Sequence, residues 1–178
     1  MRPATTDEAP YVEQLIESLR GEQLSRVTYV YPEFSTWTPE YEADQIDEVD
    51  MDVVLHFVAG GHLKISWAMA GLIEGLELSR DDFPLENLPH VDVSSSSNWA
   101  RFIGNELKDA RALWHPANQG APDSIWWMGF FFHSGVSFSV VLGELRDGIA
   151  DYQPDSLLVI FDELRDFEFR KRMGQYWP

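Results

Sequence analysis

The sequence predicts an α+β fold with an N-terminal helix and about seven strands in a mainly antiparallel sheet that is strongly curved or split into two layers. Three observations indicate this class. One segment near the N-terminus has the apolar spacing of a helix, two later segments each have the pattern of a β-hairpin, and helices between successive strands are too few for a doubly wound sheet. The 178 residues, 44% of them hydrophobic, fit one globular domain over 1–178 with its own core.

The first predicted element is a helix that starts near Thr5 or Thr6 and ends at Gly21. Either threonine can cap the first turn, Pro10 suits an early helical position, and glycine is typical just after a helix. Its apolar residues recur at helical spacing and therefore share one face. They are Tyr11, Val12, Leu15, Ile16 and Leu19.

A first strand and a first hairpin follow this helix. Residues 24–31 are rich in β-branched and aromatic side chains and stop at a proline, which predicts a strand. After an acidic loop over 33–52, apolar residues alternate along 52–58 and again along 63–67, on either side of Ala59-Gly60-Gly61. Alternation on both sides of a glycine turn is typical of a β-hairpin.

A second hairpin with a similar pattern lies further along the chain. Residues 126–132 lead into His133-Ser134-Gly135, and apolar residues alternate along the return strand 136–142. The likeness of the two hairpins leaves an internal duplication open, since hairpins also resemble one another for purely physical reasons. A polar, Ser-rich loop at 94–98 precedes this region.

The remaining segments have weaker patterns. Residues 98–103 suit a short helix followed by a strand near 107–115, and one helix over 98–114 is the competing interpretation. The apolar run 156–161 predicts a buried strand. A charged segment over 162–172 comes last.

The chain carries 30 acidic and 13 basic side chains, for a formal net charge of −17. A surplus of this sign argues against nucleic acid and against anionic membranes as partners, because proteins bind both through Lys and Arg. No Lys or Arg occurs from Val27 through Leu63, where the acidic loop lies. Two interpretations stay open: a solvated loop that keeps the protein in solution, or a docking surface for a basic protein partner.

The docking interpretation assigns the contact to the carboxylates of the acidic loop and to one exposed tryptophan. The carboxylates would steer a basic partner to the surface, and the aromatic ring would supply apolar contact area. The predicted partner-binding residues are Glu33, Trp37, Glu40, Glu42, Asp44, Asp47 and Glu48.

No motif points to catalysis, a cofactor or a metal. Gly-rich phosphate loops, the dinucleotide fingerprint, the Gly-x-Ser-x-Gly elbow and cysteine are all missing from the sequence. His56 and His62 could approach across the first hairpin near Asp52, but no metal-binding spacing accompanies them. Glu144 and Asp162 are the best candidates for a catalytic carboxyl, and more simply they end strands and face water. We therefore predict no catalytic residue, no cofactor and no metal site.

Trp126 and Trp127 are neighbours on a predicted strand, in a chain with seven tryptophans. Their side chains must point to opposite faces of the sheet, so either both faces are covered or one ring is exposed. An exposed ring would suit a ligand pocket. These two residues are therefore the predicted ligand-binding pair.

Three functions are compatible with these observations. The first is a non-catalytic acidic domain that binds a basic protein; in size, acidity and lack of catalytic motifs, the chain resembles bacterial immunity proteins, which neutralise toxins. The second is a small-molecule or carbohydrate-binding module with an aromatic-lined sheet. The third is an enzyme of unrecognised type that uses His115 or His133 with a carboxylate. Because no signal-peptide run and no apolar stretch of membrane-spanning length occur, we expect a cytoplasmic protein.

Overall fold

Two five-stranded antiparallel sheets and two α-helices form the framework of the computed structural model, which describes residues 2–33, 45–81, 84–116 and 121–175. The helices are α1 (Ala9–Leu19) and α2 (Glu163–Gln175). The strands are, in chain order, β1 (Leu24–Val30), β2 (Ile46–Val49), β3 (Asp52–Phe57), β4 (His62–Ala70), β5 (Ile73–Ser79), β6 (His90–Asp92), β7 (Leu107–His115), β8 (Ser124–Phe132), β9 (Ser137–Leu142), β10 (Glu144–Arg146), β11 (Ile149–Asp151) and β12 (Leu157–Ile160).

Each predicted hairpin lies inside one of the two sheets. The first sheet has the strand order β5-β4-β3-β1-β6, and the second has the order β2-β12-β9-β8-β7. In the first hairpin, β3 and β4 pair with Leu55 opposite Leu63, and in the second, β8 and β9 pair with Phe130 opposite Phe138. Both hairpins are thus confirmed. β10 and β11 form a separate two-stranded ribbon.

One buried core takes side chains from both five-stranded sheets and from α1. At its centre lies Trp99, from the segment before β7, whose ring meets Phe138 and Phe161 edge-on with centroids 4.7 and 4.9 Å apart. Edge-on aromatic pairs stabilise a core beyond the area they bury. A second, smaller core lies on the opposite face of the second sheet, where α2 contributes Phe169 and Met173.

Backbone hydrogen bonds join the two sheets at two places. At one, the Ala4 N–H donates to the Leu76 carbonyl of β5 at 2.9 Å, and the Ile125 N–H of β8 donates to the Ala4 carbonyl at 3.2 Å. At the other, the Leu24 N–H of β1 donates to the Asn105 carbonyl at 3.0 Å. The chain segments before α1 and before β7 therefore hold neighbouring ends of the sheets in a fixed relation.

The α+β class, the N-terminal helix and the antiparallel pairing are confirmed. The predicted strand count is too low, because the described residues form twelve strands, five of them only three or four residues long. Such short strands contain too few alternations to reveal a period of two in the sequence.

Three segments differ from the prediction in their local structure. Turns over 97–104, instead of a short helix, lead into β7, and the single helix over 98–114 is wrong. Residues 46–49 of the predicted acidic loop form β2, which pairs with β12 at the edge of the second sheet. The charged segment near the C-terminus forms α2, whose buried Phe169 and Met173 give too sparse a stripe to predict a helix.

Candidate functional site

The predicted acidic surface is only partly within the described residues. Glu33 is exposed just after β1, and Glu48 is exposed on β2, where its Oε1 accepts a hydrogen bond from the Leu145 N–H at 2.5 Å. The other predicted members of this surface, apart from Asp47, lie outside the described residues. They are Trp37, Glu40, Glu42 and Asp44.

Asp47, a predicted partner-binding residue, is buried in this structure, with 3% of the residue exposed. Its Oδ2 accepts a hydrogen bond from the Tyr29 hydroxyl at 2.7 Å, and its Oδ1 accepts one from Asn98 Nδ2 at 2.8 Å. The Tyr29 hydroxyl in turn accepts a hydrogen bond from Trp99 Nε1 at 2.6 Å. Burial raises the pKa of Asp47 above 3.8 against the opposing effect of these donors. We call Tyr29, Asp47, Asn98 and Trp99 the Asp47 network.

Trp127 is buried beneath α2 and offers no open ring face. Its Nε1 donates to Asp166 Oδ1 at 2.6 Å, and the same oxygen accepts from the Ser139 hydroxyl at 2.6 Å. The Arg170 guanidinium lies over the indole at 5.3 Å from its centroid and also donates to Asp166 Oδ2. The ring lies so close to the backbone of Gly129 that a Cβ there would be 2.2 Å from it. Trp127 therefore attaches α2 to the sheet.

Trp126 points to the other side of the strand and stands between two rings. His115 stacks on the indole with centroids 3.4 Å apart, and Tyr152 stacks on it with centroids 4.0 Å apart. Both stacks are within 6° of parallel, so both faces of Trp126 are covered. Its Nε1 donates to the Glu74 carbonyl at 3.0 Å. The ring is a fixed wall and not an open platform for a sugar.

This wall borders a cleft of about 190 Å³ where the edge of the first sheet meets the ends of β7 and β8. The residues that line this Glu74 cleft include Leu72, Glu74, His115, Ser124, Trp126 and Tyr152. The Tyr152 hydroxyl donates a short hydrogen bond to Glu74 Oε2. Within the described part of the chain, Glu74 Oε1 accepts no hydrogen bond. The cleft thus presents one carboxylate oxygen beside an aromatic stack.

Burial controls the protonation of the groups around the Glu74 cleft. It lowers the pKa of His115 from its usual 6.5, against the smaller raising effects of the Pro116 carbonyl and of Asp123 and Glu74. It also raises the pKa of Tyr152, and the hydrogen bond to Glu74 raises it further. At neutral pH, His115 is therefore uncharged and Tyr152 keeps its proton.

The two histidines of the first hairpin lie opposite each other, as the sequence predicted. His56 pairs with His62 across β3 and β4, with ring centroids 6.2 Å apart. Burial, together with the charge of Arg26, lowers the pKa of His56 to about 4. Among residues 2–33, 45–81, 84–116 and 121–175, no group of three His, Cys, Asp or Glu side chains is arranged to hold a metal ion.

The other histidine and carboxylate candidates have simple structural positions. His133 Nε2 lies 3.7 Å from Glu106 Oε1 on an exposed surface. Glu144 pairs with Arg146, and Asp162 Oδ1 accepts a hydrogen bond from the Arg165 N–H at 2.8 Å at the start of α2. A carboxylate that accepts an N–H in the first turn caps the helix.

Glu74 and Tyr152 were not singled out by the sequence, because they are 78 residues apart and belong to different sheet regions. Comparisons of the chain with protein-family models, curated proteins and solved structures found no match.

In the described ranges, no helix has both the length and the apolar character needed to cross a membrane.

Proposed function

We propose that this protein is a non-catalytic acidic domain that binds a basic protein, in the manner of an immunity protein that neutralises a basic partner. The segment without Lys or Arg, from Val27 through Leu63, is the proposed contact region. Asp47 is left out of this region because it is buried. Its contacting residues are Glu33, Trp37, Glu40, Glu42, Asp44 and Glu48.

The observation that carries this proposal is the internal pairing of the arginines. Among the residues that the structure describes, six arginines form ion pairs with carboxylates of the same chain, so these charges are already matched. The surplus carboxylates must then be balanced by solvent ions or by an external cation. The pairs are Arg2–Glu8, Arg20–Glu17, Arg20–Asp109, Arg80–Glu22, Arg111–Asp109, Arg146–Glu144 and Arg170–Asp166.

The test starts with affinity capture from the native lysate at low and high salt, followed by association kinetics with the purified partner. A variant with Glu33, Glu40, Glu42 and Asp44 changed to Ser removes four charges from the proposed contact region. We expect its association rate at low ionic strength to fall at least about tenfold and its salt dependence to flatten, because charge steering is lost.

A matched control removes four charges from other exposed positions by changing Asp7, Glu13, Glu86 and Glu168 to Ser. The control should associate almost as fast as the wild type, because screened charges far from the contact contribute little. Equal loss in both variants would overturn the assignment of the contact region. The absence of any captured basic protein at either salt would overturn the proposed function.

A second candidate is a small-molecule-binding module, and the Glu74 cleft is the observation that favours it. Its fixed aromatic wall and single open carboxylate oxygen resemble the mix of apolar and polar groups found in ligand pockets. A carbohydrate is the weaker choice of ligand, since both faces of Trp126 are already stacked. A thermal-shift screen of metabolites, read as a ligand-dependent rise in Tm, tests this candidate.

A further inference from the structure

The Glu74 cleft is held rigid by bonds that do not involve a ligand. The Glu74 carbonyl accepts hydrogen bonds from Trp126 Nε1 and from the Ser124 hydroxyl, at 3.0 and 2.5 Å. Next to it, a Cβ on Gly75 would lie 2.9 Å from side-chain atoms of both Pro3 and Ser124. β5 and β8 are therefore packed closely on each other at the cleft, and the site needs no rearrangement to form.

The charged groups that act on the cleft are carboxylates. The charges of Asp123 and Glu74 act on His115, and those of Glu74 and Asp155 act on Tyr152. No Lys or Arg of the described chain is among the groups that shift these two side chains. His115 is uncharged at neutral pH, because burial lowers its pKa. The charges that act on these two side chains of the cleft, within the described ranges, are therefore negative.

The remaining features select among positively charged ligands. A metal ion is a poor fit, because the described residues provide no set of three metal ligands. A carboxylate oxygen beside apolar surface instead suits a planar or tetrahedral organic cation that carries an alkyl chain, because the charge pairs with the carboxylate and the chain packs on the apolar side chains. Leu72, which is 77% exposed, lies in the lining of the cleft, where its side chain can cover the alkyl part of such a ligand.

We propose that the Glu74 cleft binds an alkylguanidinium or alkylammonium group, which pairs with the open Oε1 of Glu74 and lies against the His115–Trp126–Tyr152 stack. The cation is either a free small amine or the Arg or Lys side chain of a bound protein. This proposal is independent of the proposed contact region, because the variants that test the Glu74 cleft change no residue of that region.

The first test is a titration of the whole protein with propylguanidinium, followed by NMR of the Trp126 indole N–H and by calorimetry. We expect saturable binding with a dissociation constant of roughly millimolar order, as suits so small a ligand. Propylurea, which is neutral and similar in shape, should bind at least about tenfold more weakly. Equal binding of propylurea, or no binding of propylguanidinium, would overturn the proposal.

Two variants locate the binding in the cleft. Glu74→Gln keeps the shape of the side chain and should weaken propylguanidinium binding at least about tenfold, whereas the exposed Glu86→Gln should leave it unchanged. Leu72→Ser changes a mostly exposed side chain, so we expect the variant to fold as the wild type does. The loss of apolar contact should weaken propylguanidinium binding about twofold to fivefold. Undiminished binding in both cleft variants would overturn the proposal.

A peptide pair distinguishes the two sources of the cation. An acetylated Gly-Arg-Gly amide is compared with the same peptide carrying citrulline, which has the shape of arginine without its charge. Selective binding of the arginine peptide assigns the site to a side chain of a protein partner. Binding of propylguanidinium without the peptide assigns it to a free small cation.

Discussion

Asp47 and Glu74 are both carboxylates held by a tyrosine hydroxyl and bordered by a tryptophan, yet only one of them is open. Asp47 has a hydrogen-bond donor on each of its two oxygens and is buried between the sheets. Glu74 has its donor on Oε2 alone and borders a cleft. The same pair of residue types thus forms a closed structural network in one place and an open site in the other.

The two carboxylates differ in the hydrogen-bond donors that the surrounding chain segments bring to them. Trp99 and Asn98 come from the segment before β7, where Asn98 Nδ2 donates to Asp47 and Trp99 Nε1 donates to the Tyr29 hydroxyl. At Glu74, the neighbouring donors Trp126 and Ser124 donate to the backbone carbonyl, and no donor among the described residues reaches the second carboxylate oxygen. A buried carboxylate needs all its partners, whereas one beside a cleft can keep a free oxygen for water or a ligand.

The largest expected effect is on the Asp47 network. Asp47→Ala should lower the free energy of unfolding by about 2–4 kcal/mol, because the Tyr29 hydroxyl and the Asn98 amide lose their buried acceptor. Urea unfolding of the variant and the wild type measures this loss. A change below about 1 kcal/mol would show that Asp47 is no more essential to the fold than Glu74.

Asp47→Asn tests the protonation of the same group. The raised pKa of Asp47 means that the folded state binds more protons than the unfolded state at pH values just above 3.8. The wild type should therefore lose stability relative to Asp47→Asn as the pH rises above 3.8. Parallel stability curves for the two proteins across this range would contradict the burial of a charged Asp47.

Matched tyrosine variants compare the two regions directly, and Tyr29→Phe is the more damaging one. It removes the acceptor of Trp99 Nε1 and a donor to Asp47, both buried, so we expect a loss of about 2 kcal/mol. Chemical denaturation with a common baseline for all variants gives this value. Retention of full stability would mean that water or another group replaces the hydroxyl.

A smaller, pH-dependent effect is expected at His56, which is half-buried on the outer face of the first sheet. Its pKa of about 4 in the folded state lies below the usual 6.5, so the unfolded state binds more protons between these values. The wild type should thus lose stability relative to His56→Gln as the pH falls from 6.5 to about 4, by about 1 kcal/mol after allowance for solvent screening. An equal pH dependence of unfolding in both proteins would contradict this assignment.

The smallest effect is expected from Tyr152→Phe. The partly exposed Glu74 carboxylate can replace the lost hydroxyl donor with water, so the loss of stability should stay near about 0.5 kcal/mol. The measurement is the same denaturation series used for Tyr29→Phe. A loss as large as that of Tyr29→Phe would remove the contrast between a closed network and an open site.

Local patterns in the sequence predicted the parts of the fold that depend on near neighbours. The helix over Ala9–Leu19 follows from apolar spacing within one segment, and the two hairpins follow from alternation around glycine turns. The same reasoning indicated that Trp126 and Trp127 point to opposite faces, which agrees with their different surroundings in the structure. It also put Asp47 on the surface, because its acidic neighbours hide the burial pattern of β2.

The sequence by itself determined the α+β class, the antiparallel hairpins, the excess of negative charge and the stretch from Val27 to Leu63 without a cation. Only the tertiary structure decided that Asp47 is buried, that α2 covers Trp127 and that Glu74 meets Tyr152 beside Trp126. Helical and strand periods are set by backbone geometry within a few residues. The surroundings of a carboxylate are set instead by segments far apart in the chain, whose meeting depends on how the whole core packs.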